Sequence, residues 1–129
     1  MPNFQVELEP VPASARRARE LVARCAEAFE RTPHAELAQL IVTELVANSV
    51  RHAGPPLFVS CEPTKDGLKI TVRDGSFGHP VMQQAQPTDE RGRGVRLIDA
   101  LSDRWGVDDH PDGTKSVWVE VRARSGSDT

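Results

Sequence analysis

Long apolar runs are missing from this sequence of 129 residues. No stretch approaches the roughly 18 consecutive apolar residues that a membrane-spanning helix requires. The N-terminus also lacks the basic and apolar segments of a signal peptide. These absences predict a soluble, cytoplasmic protein that does not bind membranes.

Cysteine and clustered positive charge are scarce as well. The two cysteines, Cys25 and Cys61, form no CxxC pair, so neither a disulfide framework nor a structural zinc site is indicated. Lys and Arg total 16 against 19 Asp and Glu, which gives a formal net charge of −3. Because the basic residues are scattered rather than gathered on one segment, we expect no nucleic-acid partner.

The length fits one domain, which we assign to residues 1–124, followed by a polar, disordered tail over 125–129. Hydrophobic periodicity predicts helices and strands in the order β-α-α-β-β-loop-α-β-β. The predicted helices are 14–31, 36–52 and 95–101, and the predicted strands are 4–8, 57–61, 68–74, 105–107 and 117–121. This order favours an α+β two-layer sandwich, with a mixed, mostly antiparallel sheet covered on one face by helices.

Three polar residues interrupt the second predicted helix. Glu44, Asn48 and His52 are spaced four residues apart and therefore stack on one stripe. The same sector carries apolar side chains, and a second apolar row lies roughly opposite: Leu37, Leu40, Ile41 and Leu45, then Val42, Val46 and Val50. A helix that is apolar on both sides is expected to be mostly buried.

An unpartnered carboxylate or carboxamide inside such a helix would be costly. The pattern therefore predicts a polar ligand against Glu44 and Asn48. A carboxylate can accept a proton and an amide oxygen can ligate a hard cation, so a metal-bound phosphate is the natural candidate. His52 alone has an equally good structural interpretation, since a cationic imidazole complements the C-terminal end of a helix dipole.

Two further segments carry chemistry. Asp74 ends a predicted strand on its buried side and is followed by Gly75, although an aspartate before glycine is also a common turn opener. Gly92 and Gly94 precede a predicted helix, where a backbone without Cβ can approach phosphate and offer free N–H groups to it. Arg91 and Arg93 flank these glycines and could reach phosphate oxygens.

Four segments occur in a fixed order: Glu44-x-x-x-Asn48-x-x-x-His52, Asp74-Gly-Ser-Phe-Gly78, Gly92-Arg-Gly-Val-Arg-Leu97 and Gly113-Thr114. Together they resemble the N box and the three glycine boxes of the GHKL ATPase family, and they span most of the chain. Within that family, the sequence of the second predicted helix is most similar to that of the anti-sigma factor serine/threonine kinases. The resemblance implies the ATP-binding sandwich shared with histidine kinases, with ATP and Mg²⁺ as cofactors.

The resemblance also implies roles for individual residues. Asn48 would ligate Mg²⁺, Glu44 would act as the catalytic base, and Asp74 would accept a hydrogen bond from the adenine amino group. Thr114 would complete the adenine pocket through its hydroxyl group. The remaining expected nucleotide contacts are Arg51, His52, Ser76, Gly78, Arg91, Gly92, Arg93, Gly94 and Val95.

The function implied by the resemblance is that of a bacterial regulator of transcription. Such a kinase binds a sigma factor in one state and phosphorylates an anti-sigma factor antagonist protein in another, commonly as a homodimer. Ser76 replaces the middle glycine of the family's D-x-G-x-G pattern, which favours an alternative, a module that senses ATP without transferring phosphate. A detached catalytic domain of a sensor histidine kinase ranks last, because the chain opens directly with a predicted strand and no dimerisation helix is expected before it.

Overall fold

The computed structural model describes residues 4–75 and 102–122. Within them, two helices and a short 3-10 turn accompany a five-stranded sheet. The elements are β1 Gln5–Leu8, α1 Ser14–Ala28, the 3-10 turn Thr32–His34, α2 Ala35–His52, β2 Leu57–Pro63, β3 Gly67–Asp74, β4 Arg104–Asp109 and β5 Lys115–Arg122. The strand order is β1-β2-β3-β5-β4, and each of these neighbouring pairs is antiparallel. The predicted α+β sandwich is confirmed, and its described strands are antiparallel rather than mixed.

The first helix ends earlier than its apolar spacing predicts. α1 stops at Ala28 instead of continuing to residue 31. Glu30 has a φ of 57°, in the left-handed region, and the backbone N–H of Arg31 donates to the carbonyl oxygen of Ala26 at 2.6 Å. This is the geometry that commonly closes a helix, and it reverses the chain toward α2.

The core lies between the helices and one face of the sheet. Three strands contribute alternate residues to it, as the sequence predicts: Leu57, Val59 and Cys61 from β2, Leu68, Ile70 and Val72 from β3, and Val117, Val119 and Val121 from β5. α1 and α2 cover this side with their own buried residues. Because side chains alternate along a strand, the intervening residues face away from the helices.

The second helix buries one broad face rather than the two predicted rows. Its buried residues are Ala38, Ile41, Val42, Leu45, Val46 and Ser49. Leu40, expected on the core face, is 42% exposed, and Glu44 and Asn48 are half-buried rather than enclosed. At about 100° per residue, Leu40 lies opposite the buried face, Glu44 lies about 40° from Leu40, and Asn48 lies at the margin of the buried face.

Two predicted segments, the loop after Gly75 and the helix 95–101, fall outside the described residues. So does the tail 125–129, and the boundary at residue 124 stays a prediction. Within residues 4–75 and 102–122, neither helix has both the length and the apolar character needed to cross a membrane.

Candidate functional site

Asp74 is the centre of the candidate site. It is the last residue of β3 and is only 3% exposed. Its Cα partners are Leu57 on β2 and Lys115 on β5, so its side chain shares the helix-facing side with the core. A carboxylate in such a place requires hydrogen-bond donors, because burial disfavours an unsatisfied charge.

Ser49 of α2 is one such donor. Its hydroxyl group donates to Oδ2 of Asp74 at 2.5 Å, and the serine itself is 5% exposed. The bond fixes the carboxylate against α2 and engages one of its two oxygens. Ser49 was not identified from the sequence, although its spacing of four residues from Leu45 already places a polar group in the buried stripe.

The backbone of the segment after α2 packs directly against the residue that follows β3. The backbone N–H of Gly75 donates to the carbonyl oxygen of Gly54 at 3.0 Å. A Cβ atom at Gly75 would lie 2.3 Å from the carbonyl oxygen of Pro55. Only glycine fits at this approach, so Gly75 holds the strand end against the Gly54–Pro55 backbone.

Lys115 is a second charged residue at this site that sequence reasoning missed. It is the first residue of β5, it pairs directly with Asp74, and it is 3% exposed. The sequence could have predicted its burial, because Lys115 precedes Val117, Val119 and Val121 at the same two-residue spacing. A basic residue in a buried row is unusual and suggests a specific role.

Glu44 and Asn48 lie on the same half of α2 as Ser49. Of these three residues, Ser49 donates a hydrogen bond to Asp74, and the predicted roles of Glu44 and Asn48 stay predictions. Both residues are half-buried. Arg51 is exposed, and His52 is the half-buried last residue of the helix.

The donor set on α2 suits a hard cation only in part. Carboxamide and carboxylate oxygens are ligands that Mg²⁺ accepts. Among the residues that the structure describes, however, no group of three or more His, Cys, Asp or Glu residues could hold a metal ion. A cation near Asn48 would therefore depend on further oxygens from water or from a bound phosphate.

Thr114 lies in a hydrogen-bonded turn beside β3. Its hydroxyl group donates to Oδ1 of Asp112 at 2.6 Å and accepts from Nε of Arg73 at 2.8 Å. Arg73 also forms an ion pair with Asp112 at 2.7 Å. These contacts lower the pKa of Asp112 to about 2, first through the Thr114 hydroxyl and backbone N–H groups and then through the Arg73 charge. The predicted contact of Thr114 with adenine stays a prediction.

A model of the histidine kinase-like ATPase domain matches residues 8–119. The chain belongs to this family.

A solved structure shows the same fold. The histidine kinase domain of the blue-light activated histidine kinase of Erythrobacter litoralis EL346 superposes with a TM-score of 0.54 at 16% identity. The alignment covers 94% of this chain and 69% of that one. No curated protein matches the chain. The GHKL resemblance and its fold are thereby confirmed, whereas the narrower likeness to anti-sigma factor kinases stays a hypothesis.

In this histidine kinase-like ATPase domain, seven of the predicted nucleotide contacts fall outside the described residues. They are Ser76, Gly78, Arg91, Gly92, Arg93, Gly94 and Val95. The described part of the site is therefore the end of β3, the start of β5 and the C-terminal half of α2.

Proposed function

We propose that this chain binds ATP with Mg²⁺ and transfers the γ-phosphate to a serine or threonine of a partner protein, as a regulator of the anti-sigma factor type. The observation that carries the proposal is the buried carboxylate of Asp74, held at 2.5 Å by Ser49 of α2, the helix that also carries the half-buried Glu44 and Asn48. The family supports the same assignment, since it is that of histidine kinase-like ATPase domains.

Asp74 would select the base. An ionised carboxylate only accepts hydrogen bonds, and the adenine amino group donates them. Guanine carries an acceptor oxygen at the equivalent position and would be repelled. Since Ser49 engages Oδ2, the carboxylate is held in one orientation before a ligand arrives, which reduces the entropy lost on binding.

Asn48 and Glu44 would act at the phosphate end. The Asn48 carboxamide oxygen is a neutral, hard ligand suited to Mg²⁺, which neutralises phosphate charge when bound with the nucleotide. Glu44, one turn earlier on α2, would orient or deprotonate the attacking hydroxyl group of the partner protein. Most of the rate enhancement would come from positioning and charge stabilisation.

The identity of the partners rests on the sequence resemblance. The segment Thr-Glu-Leu-Val-Ala-Asn-Ser-Val-Arg-His at residues 43–52 is the part most similar to anti-sigma factor kinases. On that basis the chain would form a homodimer, bind a sigma factor, and phosphorylate an antagonist of the anti-sigma factor. Transcription would then respond to which partner is bound.

A titration with ATP tests the nucleotide site. We expect calorimetry to detect magnesium-dependent ATP binding by the wild type. The Asn48→Ala variant should lose most of the difference between magnesium and EDTA, because its metal ligand is gone. Glu36→Ala, an exposed position in the first turn of the same helix, is the matched control. Equally tight, magnesium-dependent binding by wild type and Asn48→Ala would refute the metal assignment.

Phosphotransfer needs a separate experiment. Incubation with γ-labelled ATP and a candidate antagonist protein should place label on a serine or threonine of that antagonist. Glu44→Ala should abolish the label while Glu36→Ala retains it.

Ser76, which stands in place of a glycine of the family pattern, favours a second candidate function. In that case the chain senses ATP and binds a partner without chemistry. ATP binding with no transfer to any antagonist would support this candidate and contradict the kinase.

A further inference from the structure

The hydroxyl group of Ser49 forms an unusual hydrogen bond for a residue inside a helix. A serine or threonine there commonly donates to the carbonyl oxygen four residues earlier. Thr43 of the same helix does so, to the Gln39 carbonyl oxygen at 2.7 Å. Ser49 instead donates to Oδ2 of Asp74 at the end of β3, at 2.5 Å. This bond joins α2 to the strand end, and both of its residues are buried.

This bond restricts the orientation of the Asp74 carboxylate. The torsion angle that rotates the plane of a carboxylate has broad minima, so an unrestrained aspartate samples many orientations. Because one oxygen of Asp74 accepts from a buried serine on α2, the plane of the carboxylate is fixed relative to the helix. The position of the second oxygen is thereby defined as well.

A carboxylate held in one orientation can discriminate between nucleotide bases. In the proposed ATP site, Asp74 accepts from the adenine amino group, and such a hydrogen bond weakens steeply when its angle or distance is poor. We propose that Ser49 is a positioning residue, which orients Asp74 and thereby gives the site its selectivity for a base that carries this amino group. The inference rests on the proposed function and extends it from the residue that contacts the base to the residue that orients it.

Two nucleotides measure this selectivity. Purine riboside triphosphate carries hydrogen in place of the adenine amino group and is otherwise identical to ATP. In the presence of magnesium, we expect the wild type to bind ATP roughly tenfold more tightly than this analogue, the scale of a hydrogen bond to a charged group. The readout is the ratio of the two dissociation constants from calorimetry. A general loss of stability or of phosphate binding weakens both nucleotides equally and leaves this ratio unchanged.

Ser49→Ala should lower the ratio. Without the hydroxyl donor, the Asp74 carboxylate has to be ordered when the base binds, so we expect the ratio to fall roughly two- to tenfold. Ser49→Thr keeps a hydroxyl group and should restore most of the ratio. Ser14→Ala is the matched control, because Ser14 is a buried serine of α1 whose hydroxyl group donates to the Glu9 carbonyl oxygen at 2.7 Å. It should keep the wild-type ratio.

A second substitution keeps the test decisive if Ser49→Ala does not fold. Ser49→Cys nearly preserves the size of the side chain and replaces the hydroxyl group by a thiol, which is a weak donor. We expect its ratio to lie between those of the wild type and Ser49→Ala. Thermal unfolding followed by circular dichroism verifies that each variant is folded.

The outcomes separate this inference from the proposed function. A wild-type ratio in folded Ser49→Ala or Ser49→Cys would refute the role of Ser49 and leave the ATP site intact. Equal binding of ATP and the analogue by the wild type would refute selection of the amino group by Asp74, and this inference with it, whereas magnesium-dependent ATP binding would stand. No binding of magnesium ATP by the wild type would overturn both proposals.

Discussion

The two ends of strand β3 differ in the polar groups that surround them. At the Gly67 end, Arg31 donates from Nε to the Gly67 carbonyl oxygen at 3.2 Å and from one terminal nitrogen to the Thr64 carbonyl oxygen at 2.8 Å. His34 lies 3.0 Å from the carbonyl oxygen of Asp66 through Nε2. Side chains from the connection between α1 and α2 thus tie down the β2–β3 turn with contacts inside the chain.

At the Asp74 end, charged side chains are buried at the ends of two neighbouring strands. Asp74 and Lys115 are both buried and face the helices. Glu44 and Asn48 stand half-exposed on the neighbouring helix. The Gly67 end thus consists of contacts within the chain, whereas the Asp74 end gathers buried charged residues. Buried charged residues are common where a protein binds a ligand.

Replacing a glycine at each end should produce the largest effects. A Cβ at Gly67 would lie 1.8 Å from the Val121 carbonyl oxygen, and one at Gly75 would lie 2.3 Å from the Pro55 carbonyl oxygen. We expect Gly67→Ala and Gly75→Ala each to lower the free energy of unfolding by about 3 kcal/mol, since backbone must move. Urea denaturation measures this.

The same pair separates the two ends functionally. Gly75→Ala should also weaken ATP binding, whereas Gly67→Ala should leave the affinity of its folded fraction unchanged. Equal losses of affinity in both variants would contradict the division of the strand into a structural end and a binding end.

Asp74→Asn should have the next largest effect, and that effect should be on ATP affinity. The amide oxygen can still accept from Ser49, so we expect the free energy of unfolding to change little. The charge that accepts from adenine is lost, and ATP affinity should fall by roughly tenfold to a hundredfold. Isothermal titration calorimetry measures the affinity, and a large fall in melting temperature without a change in affinity would reverse the interpretation.

Arg31→Ala tests the opposite end. It removes the donors to the Gly67 and Thr64 carbonyl oxygens, and we expect a loss of about 2 kcal/mol in the free energy of unfolding. ATP affinity should not change. Arg24→Ala, at an exposed position on α1, is the control and should unfold like the wild type.

The smallest effect concerns acid stability near Thr114. Hydrogen bonds from Thr114 lower the pKa of Asp112 from 3.8 to about 2. Because the folded-state pKa is the lower one, its contribution to stability is present above about pH 4 and is lost as the pH falls toward 2. Asp112→Asn should flatten this part of the dependence of melting temperature on pH. Thr114→Val should have the same effect. If melting temperature falls at low pH in both variants as it does in the wild type, the lowered pKa of Asp112 is not the cause of that fall.

Strand alternation and helical spacing carried most of the fold prediction. The rows from Leu57, Leu68 and Val117 onward were predicted because a half-buried strand has to alternate. The end of α1 was missed since a left-handed Glu30 is not encoded by apolar spacing. Leu40 was misplaced because sequence periodicity gives the angle between residues and not the direction of the core.

For the candidate site, the sequence determined which residue types are present and their order along the chain. Spacing of four residues put Glu44 and Asn48 on one side of a helix, and alternation put Asp74 on the buried side of a strand, because both follow from local backbone geometry. Tertiary structure decided which groups meet. The bond between Ser49 and Asp74 joins residues 25 positions apart, and the pairing of Asp74 with Lys115 depends on the register of β3 against β5. Neither is fixed by local geometry, since each requires the sheet to form and α2 to pack against it.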